Sequence, residues 1–205
     1  MVPRLLSIVM ERMLLCTGNP GKVAELRALL PHDIELLSLA DAGLPADLPE
    51  TGDTLEANAL QKARFAFERT GLPCIADDTG LEVDALNGTP GVYSARYAGA
   101  AKDPAANMAR LLGELEGRSD RRARFRTVIA FISWNIEHTV SGEVEGSIID
   151  APRGEGGFGY DPIFRPEMST LTFAEMDAKT KNAISHRGQA VWKLVRWLSE
   201  DQRER

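Results

Sequence analysis

The chain has 205 residues, 43% of them hydrophobic, and a formal net charge of −6. That is enough for one full-sized core, in one lobe or in two sharing it. The acidic balance argues against a broad nucleic-acid or anionic-membrane surface, though not against a small phosphorylated substrate held by a local cluster of Lys and Arg.

Residues 1–12 carry a short apolar run with no small-residue cleavage site, so no signal peptide is expected there. Met10 and Met13 read equally well as starts, and the segment is expected to be poorly ordered or mis-assigned. No apolar run approaches the ~20 residues that span a bilayer. Residues 13–16 predict a first strand. Thr17, Gly18, Asn19, Pro20, Gly21 and Lys22 follow, then Val23, Leu26, Leu29 and Leu30 at the spacing of an amphipathic helix stopped by Pro31. Strand, tight turn and helix is the arrangement that aims backbone N–H groups at an anion, and Lys22 adds a point charge. The spacing is not that of a Walker A loop, and the same residues would also make a plain strand-to-helix turn.

Residues 34–39 predict a second strand, and 40–54 are a loop rich in Pro, Gly and Asp. Asp53 with Glu56 forms a capping box for a helix that runs through Arg69 and is closed by Gly71. Asn58 and Lys62 share one face of that helix and are expected at the surface. Ala57, Leu60 and Phe67 are the expected buried face. Residues 73–76 then predict a buried strand that surfaces at Asp77, Asp78, Thr79 and Gly80. Ligands sit beyond the carboxyl ends of such strands in open α/β sheets. Paired carboxylates there suit a hard cation such as Mg²⁺, which takes oxygen ligands and bridges to phosphate. A capped turn beside a solvated carboxylate is the plainer reading of the same pair.

Asp103 and Pro104 cap and open a helix to about Leu115. Residues 123–134 and 137–149 are β-rich runs around a turn near Asn135, read as an antiparallel hairpin. Five arginines from Arg118 to Arg126 are read as a solvated turn and strand edge, because only Phe125 interleaves them. Residues 153–164 form a glycine-rich loop with aromatics that look exposed, either a face for a base to stack on or a packed loop. Thr172 with Glu175 makes another capping box. The chain ends in an amphipathic helix with Val191, Leu194, Val195 and Leu198 on its core face, and His186 and Arg187 at its start. Cys16 and Cys74 lie in apolar segments and read as reduced, buried thiols.

Five blocks of this sequence, in order, resemble the inosine triphosphate pyrophosphatase family, whose members are also called XTP/dITP diphosphatases and clear non-standard purine nucleotides. They are T-G-N-P-G-K at 17–22, E-T-G at 50–52 with N-A-x-x-K-A at 58–63, and A-D-D-T-G-L-E-V-D-A-L-x-G-x-P-G-V-Y-S-A-R-Y-A-G at 76–99. G-G-F-G-Y-D-P-I-F at 156–164 and K-N-A-I-S-H-R-G at 181–188 complete the set. Thr79 stands where many relatives carry Ser and keeps the hydroxyl.

The resemblance implies an α/β fold with a mixed central sheet flanked by helices, in two lobes with the active site in the cleft between them, as one domain over 13–205. It implies Mg²⁺-dependent hydrolysis of ITP, dITP or XTP to the monophosphate and pyrophosphate by a cytoplasmic homodimer, with neither a nucleic-acid polymer nor a membrane as partner. Glu50 and Asp78 would hold the metal, with Asp77 assisting through water. Asp78 would also accept the proton of the water that attacks the α-phosphorus. Thr17, Gly18, Asn19, Pro20, Gly21 and Lys22, with Lys62 and Lys181, would bind the polyphosphate. Thr79 belongs to the substrate site by the same resemblance. Phe158 would stack on the base, with Gly159 and Tyr160 in its loop, while Asp161, His186 and Arg187 would line the base edge. The resemblance assigns Tyr93, Arg96 and Tyr97 nothing beyond shaping the loop or the dimer. The rival readings are a related-fold pyrophosphatase for other modified nucleotides and a nucleotide-sensing module without turnover.

Overall fold

In a computed structural model, which describes residues 12–204, the chain enters its sheet at β1 (Arg12–Leu15). β1 buries Met13, Leu14 and Leu15 and pairs in parallel with β2 (Glu35–Leu37) and with β3 (Cys74–Val83). The extension expected over 1–12 lies outside the described residues except for Arg12, which opens β1. Among the described residues the strand order is β2-β1-β3-β5-β6-β7, with β4 (Pro90–Gly91) beside β3. β5 (Arg122–Ser133) and β6 (Ile136–Ile148) are joined through Trp134 and Asn135 alone, and Asn135 takes the left-handed conformation (φ 60°) that closes the hairpin. β4 is antiparallel to β3, and β7 (Phe164–Pro166) is antiparallel to β6, so the sheet is mixed as expected.

Among the described residues five helices accompany the sheet: α1 (Pro20–Leu29), α2 (Leu55–Thr70), α3 (Pro104–Glu114), α4 (Ala178–Ile184) and α5 (His186–Glu204). Asn19 caps α1, its side chain accepting the Lys22 N–H at 3.1 Å. Pro20, Gly21 and Lys22 are therefore the first turn of the helix and not a turn before it, as Pro at the first helical position permits. α2 is capped by Thr54, not by Asp53, and Gly71 ends it in the left-handed region (φ 66°). Its buried side also differs from the expected one. Leu55, Asn58, Ala59, Lys62, Ala63 and Ala66 are buried, whereas Ala57 is exposed and Leu60 and Phe67 are half-buried. The polar pair has turned inward together with a row of small alanines.

β3 does not surface at Asp77. It continues unbroken for 10 residues, with Asp77 at 0% and Asp78 at 7% exposure. A buried carboxylate is tolerable when paired and hydrogen-bonded, and lysines from α1 and α2 supply that pairing. The close approach of β4 explains Gly80: a Cβ there would lie 2.8 Å from the Gly91 carbonyl oxygen.

The chain divides into two compact units, each with its own core. The first comprises the described residues up to Asp78, Val128–Ser141 and those from Ala190 on. Its core gathers Met13, Leu15, Leu26, Ile75, Phe131 and Leu194. The second comprises Thr79–Thr127 and Gly142–Gln189. Its core gathers Leu81, Val83, Leu111, Phe125, Ile163 and Phe173. β5 records the change: burial alternates over its first residues and is continuous from Thr127 to Ser133. Arginines of the 118–126 segment are tied down, Arg121 to the carbonyls of Ile148, Leu115 and Ile149, and Arg124 to Glu145 and Asp84. Cys16 and Cys74 are free and buried.

α4 and α5 meet at Ser185, and Gly188 makes the junction possible. A Cβ at Gly188 would lie 1.9 Å from the Asn182 carbonyl oxygen, a backbone atom that cannot swing away. Gly113, in α3, has nothing within 4 Å of such a Cβ. Gly188→Ala should therefore cost about 1–3 kcal/mol by overpacking. Gly113→Ala should gain about 0.4–1 kcal/mol by restricting the unfolded chain. Denaturant melts of both variants check this, and equal shifts of one sign would refute it.

Candidate active site

In the first unit, one buried ammonium collects the acidic residues. Lys62 Nζ donates to Glu50 Oε1 at 2.5 Å, to the Asp77 carbonyl oxygen at 2.7 Å and to Asp78 Oδ1 at 3.3 Å. α2 supplies the lysine, β3 the aspartates, and the loop before α2 supplies Glu50. Lys22, one turn into α1, pairs with Asp77 at 3.0 Å. Burial works against the Lys62 ammonium, yet Asp78, Glu50 and Asp77 outweigh it and hold its pKa above the ordinary lysine value. Asp78 shifts upward too. Burial raises it and the nearby Glu50 charge adds to that, outweighing the pull of Lys62 and Lys22 and the Asn58 hydrogen bond.

Two further side chains of α2 hold this group. Asn58 donates from Nδ2 to Asp78 Oδ2 at 3.2 Å and accepts the Gly52 N–H at 2.8 Å. Gln61 accepts the Thr51 N–H at 2.9 Å and donates to the Thr51 hydroxyl at 2.9 Å. Helical spacing puts Asn58 on one face with Lys62 but predicts it at the surface, where it is in fact buried, and it gives Gln61 no role. The signal available was the spacing of Asn58, one turn ahead of Lys62. Within the loop at 17–22, Thr17 Oγ1 accepts the Asn19 N–H at 3.2 Å. Gly18 sits so close to the Ala46 carbonyl oxygen that a Cβ would come within 2.4 Å of it.

The second unit assembles the remaining predicted residues around Phe158 and Arg187. Arg187 is 1% exposed and donates from Nη2 to the Thr79 hydroxyl at 3.0 Å. Thr79 in turn shares a 2.6 Å hydrogen bond with Thr127, a buried β5 residue that carried no signal in the sequence. The Arg187 guanidinium lies 5.5 Å from the Phe158 ring centroid, and Lys181 Nζ lies 5.0 Å from the same centroid. His186 is buried and stacks on Phe125 at 4.7 Å.

The glycine-rich loop is built differently from expectation in two places. Tyr160 is buried, 4% exposed, with its hydroxyl donating to the Ser94 carbonyl at 2.9 Å. Burial pushes its pKa well up. Asp161 is also buried; its Oδ2 accepts the Phe158 N–H at 2.7 Å and Lys181 Nζ at 2.6 Å. It braces the loop from within, and Lys181 joins this group. Gly157 (φ 70°) and Gly159 (φ 63°) supply the left-handed backbone. At Gly157 a Cβ would strike Asp161 Oδ2 at 2.1 Å. Of the aromatics, Phe158 is the half-buried one, its ring beside two cations.

Comparison with known proteins extends these local matches to nearly the whole chain. A Porphyromonas gingivalis protein named dITP/XTP pyrophosphatase is 52% identical over 190 residues, covering 92% of this chain and 98% of its own. A Bacillus subtilis protein of the same name is 46% identical over 195 residues, covering 93% and 98%. The solved structure of a HAM1 protein from Coxiella burnetii matches with a TM-score of 0.85 at 44% identity, over 93% of this chain and 100% of that one. The family model that describes the Ham1 family matches residues 13–197, and on that span and these identities the chain belongs to the Ham1 family.

Proposed function

We propose that this chain hydrolyses the non-standard purine nucleoside triphosphates ITP, dITP and XTP to the monophosphate and pyrophosphate, using Mg²⁺. The observation that carries the reading is the buried convergence of Glu50, Asp77 and Asp78 on Lys62 and Lys22, in a chain 52% identical to a protein named dITP/XTP pyrophosphatase. The working form in this reading is a cytoplasmic homodimer. Two free, buried cysteines are in keeping with a reducing compartment.

The residues fit a divalent cation. Three carboxylates face two ammoniums, so the group holds an excess of negative charge, and its charged acceptors are all oxygen. Among the described residues no group of three or more His, Cys, Asp or Glu side chains makes a closed metal site. Mg²⁺ does not need one, since it commonly takes one or two carboxylates and fills its octahedron with water and substrate phosphate. Glu50 and Asp78 would hold it, and the bound ion would withdraw charge from the phosphate oxygens.

The chain's own groups do the rest. Asp78, its carboxyl raised by burial, accepts the proton of the water attacking the α-phosphorus. Lys22 and Lys62 offset the charge that grows on the leaving pyrophosphate. Phe158 offers its ring to the base. Asp161 keeps Phe158 and Lys181 in place, so it supports the base-binding loop and does not read the base. Hypoxanthine and xanthine carry a 6-oxo acceptor where adenine carries a 6-amino donor. Arg187 has only donors, so it favours the 6-oxo bases and leaves adenine's amino group unpaired, at about 1–3 kcal/mol.

Pyrophosphate release with Mg²⁺ over ITP, dITP, XTP, GTP and ATP tests the reading directly. Turnover of the first three is expected, and tight nucleotide binding without pyrophosphate would mark a sensor instead. Asp78→Asn should lower kcat by about 10²–10⁴ while leaving the fold intact. Near-wild-type turnover at saturating Mg²⁺ would remove Asp78 from the chemistry.

The base and metal assignments have their own tests. Arg187→Ala should reduce kcat/KM for ITP far more than for ATP; a parallel fall in both would place Arg187 away from the base edge. Lys62→Met leaves Glu50 and Asp78 without their ammonium and should cost about 3–5 kcal/mol of stability. Added Mg²⁺ should restore part of that loss, raising the melting temperature of the variant more than that of the wild type. Equal Mg²⁺ effects on the two proteins would count against a cation between Glu50 and Asp78.

A further inference from the structure

We propose that Asn58 is a positioning residue that sets Asp78 and Glu50 in register with each other; this rests on the reading of those two carboxylates given above. Asn58 is 1% exposed and stands on α2 one turn ahead of Lys62. Its amide is used at both ends. Nδ2 donates to Asp78 Oδ2, and Oδ1 accepts the Gly52 N–H. A carboxylate oxygen can only accept and a backbone N–H can only donate, so these partners admit one orientation of the amide.

The consequence for Asp78 is that its two oxygens have different partners, Lys62 on Oδ1 and Asn58 on Oδ2. Two donors on opposite oxygens fix the plane of the carboxylate as well as its place. The consequence for Glu50 comes through the backbone. Gly52 lies two residues beyond Glu50, and its contact with Asn58 anchors the loop that presents Glu50 to Lys62. Gly52 itself has no room for a side chain, since a Cβ would meet Ala57 Cβ at 2.6 Å and Asn58 Oδ1 at 3.0 Å. One amide thus spans the loop of one carboxylate and the side chain of the other. Gln61 ties the same loop through Thr51 but has no contact with Asp78 among the hydrogen bonds described. Lys62 bridges the two carboxylates by charge, and Asn58 adds a second tie, from the Asp78 side chain to the backbone of the Glu50 loop. Outer partners of this kind, when replaced, lower metal affinity or activity by about 10–100-fold.

Two variants separate positioning from mere support of the fold. Asn58→Asp keeps an acceptor for the Gly52 N–H but sets a like charge against Asp78. Asn58→Ala removes both contacts. Asn58→Asp buries a like charge and should melt below wild type; assayed on the folded protein well below that melt, it should lose about 10–100-fold in kcat on ITP, with KM at saturating Mg²⁺ near the wild-type value. Asn58→Ala should lose kcat and should also weaken Mg²⁺ binding to the substrate-free protein, read by calorimetric titration, by about 10–100-fold. In an Asp78→Asn background the Asn58→Asp change should cost little more, because the residue it acts through is already altered. Wild-type kcat in Asn58→Asp, an unchanged Mg²⁺ affinity in Asn58→Ala, or full additivity with Asp78→Asn would each overturn the proposal. If Asp78→Asn alone keeps wild-type turnover, the reading of Asp78 falls, and this proposal with it. If Asp78→Asn is inactive while Asn58→Asp is not, only the positioning role is lost.

Discussion

A buried ammonium is the constraint on which the first unit depends. Lys62 has 6% of its side chain exposed and meets Glu50, Asp78 and the Asp77 carbonyl. Such a charge is tolerable only with close partners, and arranging them dictates much of the local structure. β3 stays inside through Asp77 and Asp78 because Lys22 and Lys62 compensate it there. The small residues Ala59, Ala63 and Ala66 share the buried side of α2 with the lysine. The loop at 50–52 is held to α2 by Asn58 and Gln61 and so delivers Glu50. Among the ion pairs described, the group nonetheless carries more carboxylates than ammoniums, which is the ground for proposing a divalent cation there.

The second unit solves a different problem, that of presenting an aromatic ring and a guanidinium from a glycine-rich loop and a helix start. Asp161 neutralises Lys181 and holds the Phe158 N–H, so the loop turns on a charged residue buried beneath it. Thr127 and Thr79 anchor Arg187 through one chain of hydroxyls. Asp78 and Thr79 are consecutive in β3, so neighbouring residues of one strand serve the charge group and the arginine respectively.

The elements were legible where a local rule decides them. The Asp103 cap of α3, the Thr172–Glu175 box, the hairpin at Asn135 and the stop at Gly71 each follow from the chemistry of one or two residues. Motif order was enough to identify the family, because five specific blocks in one order over 17–188 leave little room for coincidence. Tertiary compensation could not be read the same way. Two adjacent carboxylates signal a strand end unless the lysines that neutralise them are known to arrive, and those lie 55 and 15 residues earlier in the chain, by the positions of Lys22 and Lys62 against Asp77. The face of α2 was misjudged because alanine gives little hydrophobic signal while Asn and Lys give a strong polar one. Thr54 and Asp53 both cap well, and one residue of register separates them. Tyr160 looked exposed because its loop is rich in glycine, and its hydrogen bond to Ser94 spans 66 residues of sequence.

The central claim is that water attacks the α-phosphorus with Asp78 as proton acceptor, expelling pyrophosphate intact. Hydrolysis of ITP in ¹⁸O-labelled water, with the products resolved by mass spectrometry, addresses it most directly. The account predicts inosine monophosphate carrying one ¹⁸O and unlabelled pyrophosphate. Label in the pyrophosphate, or release of inosine diphosphate with labelled inorganic phosphate, would contradict it.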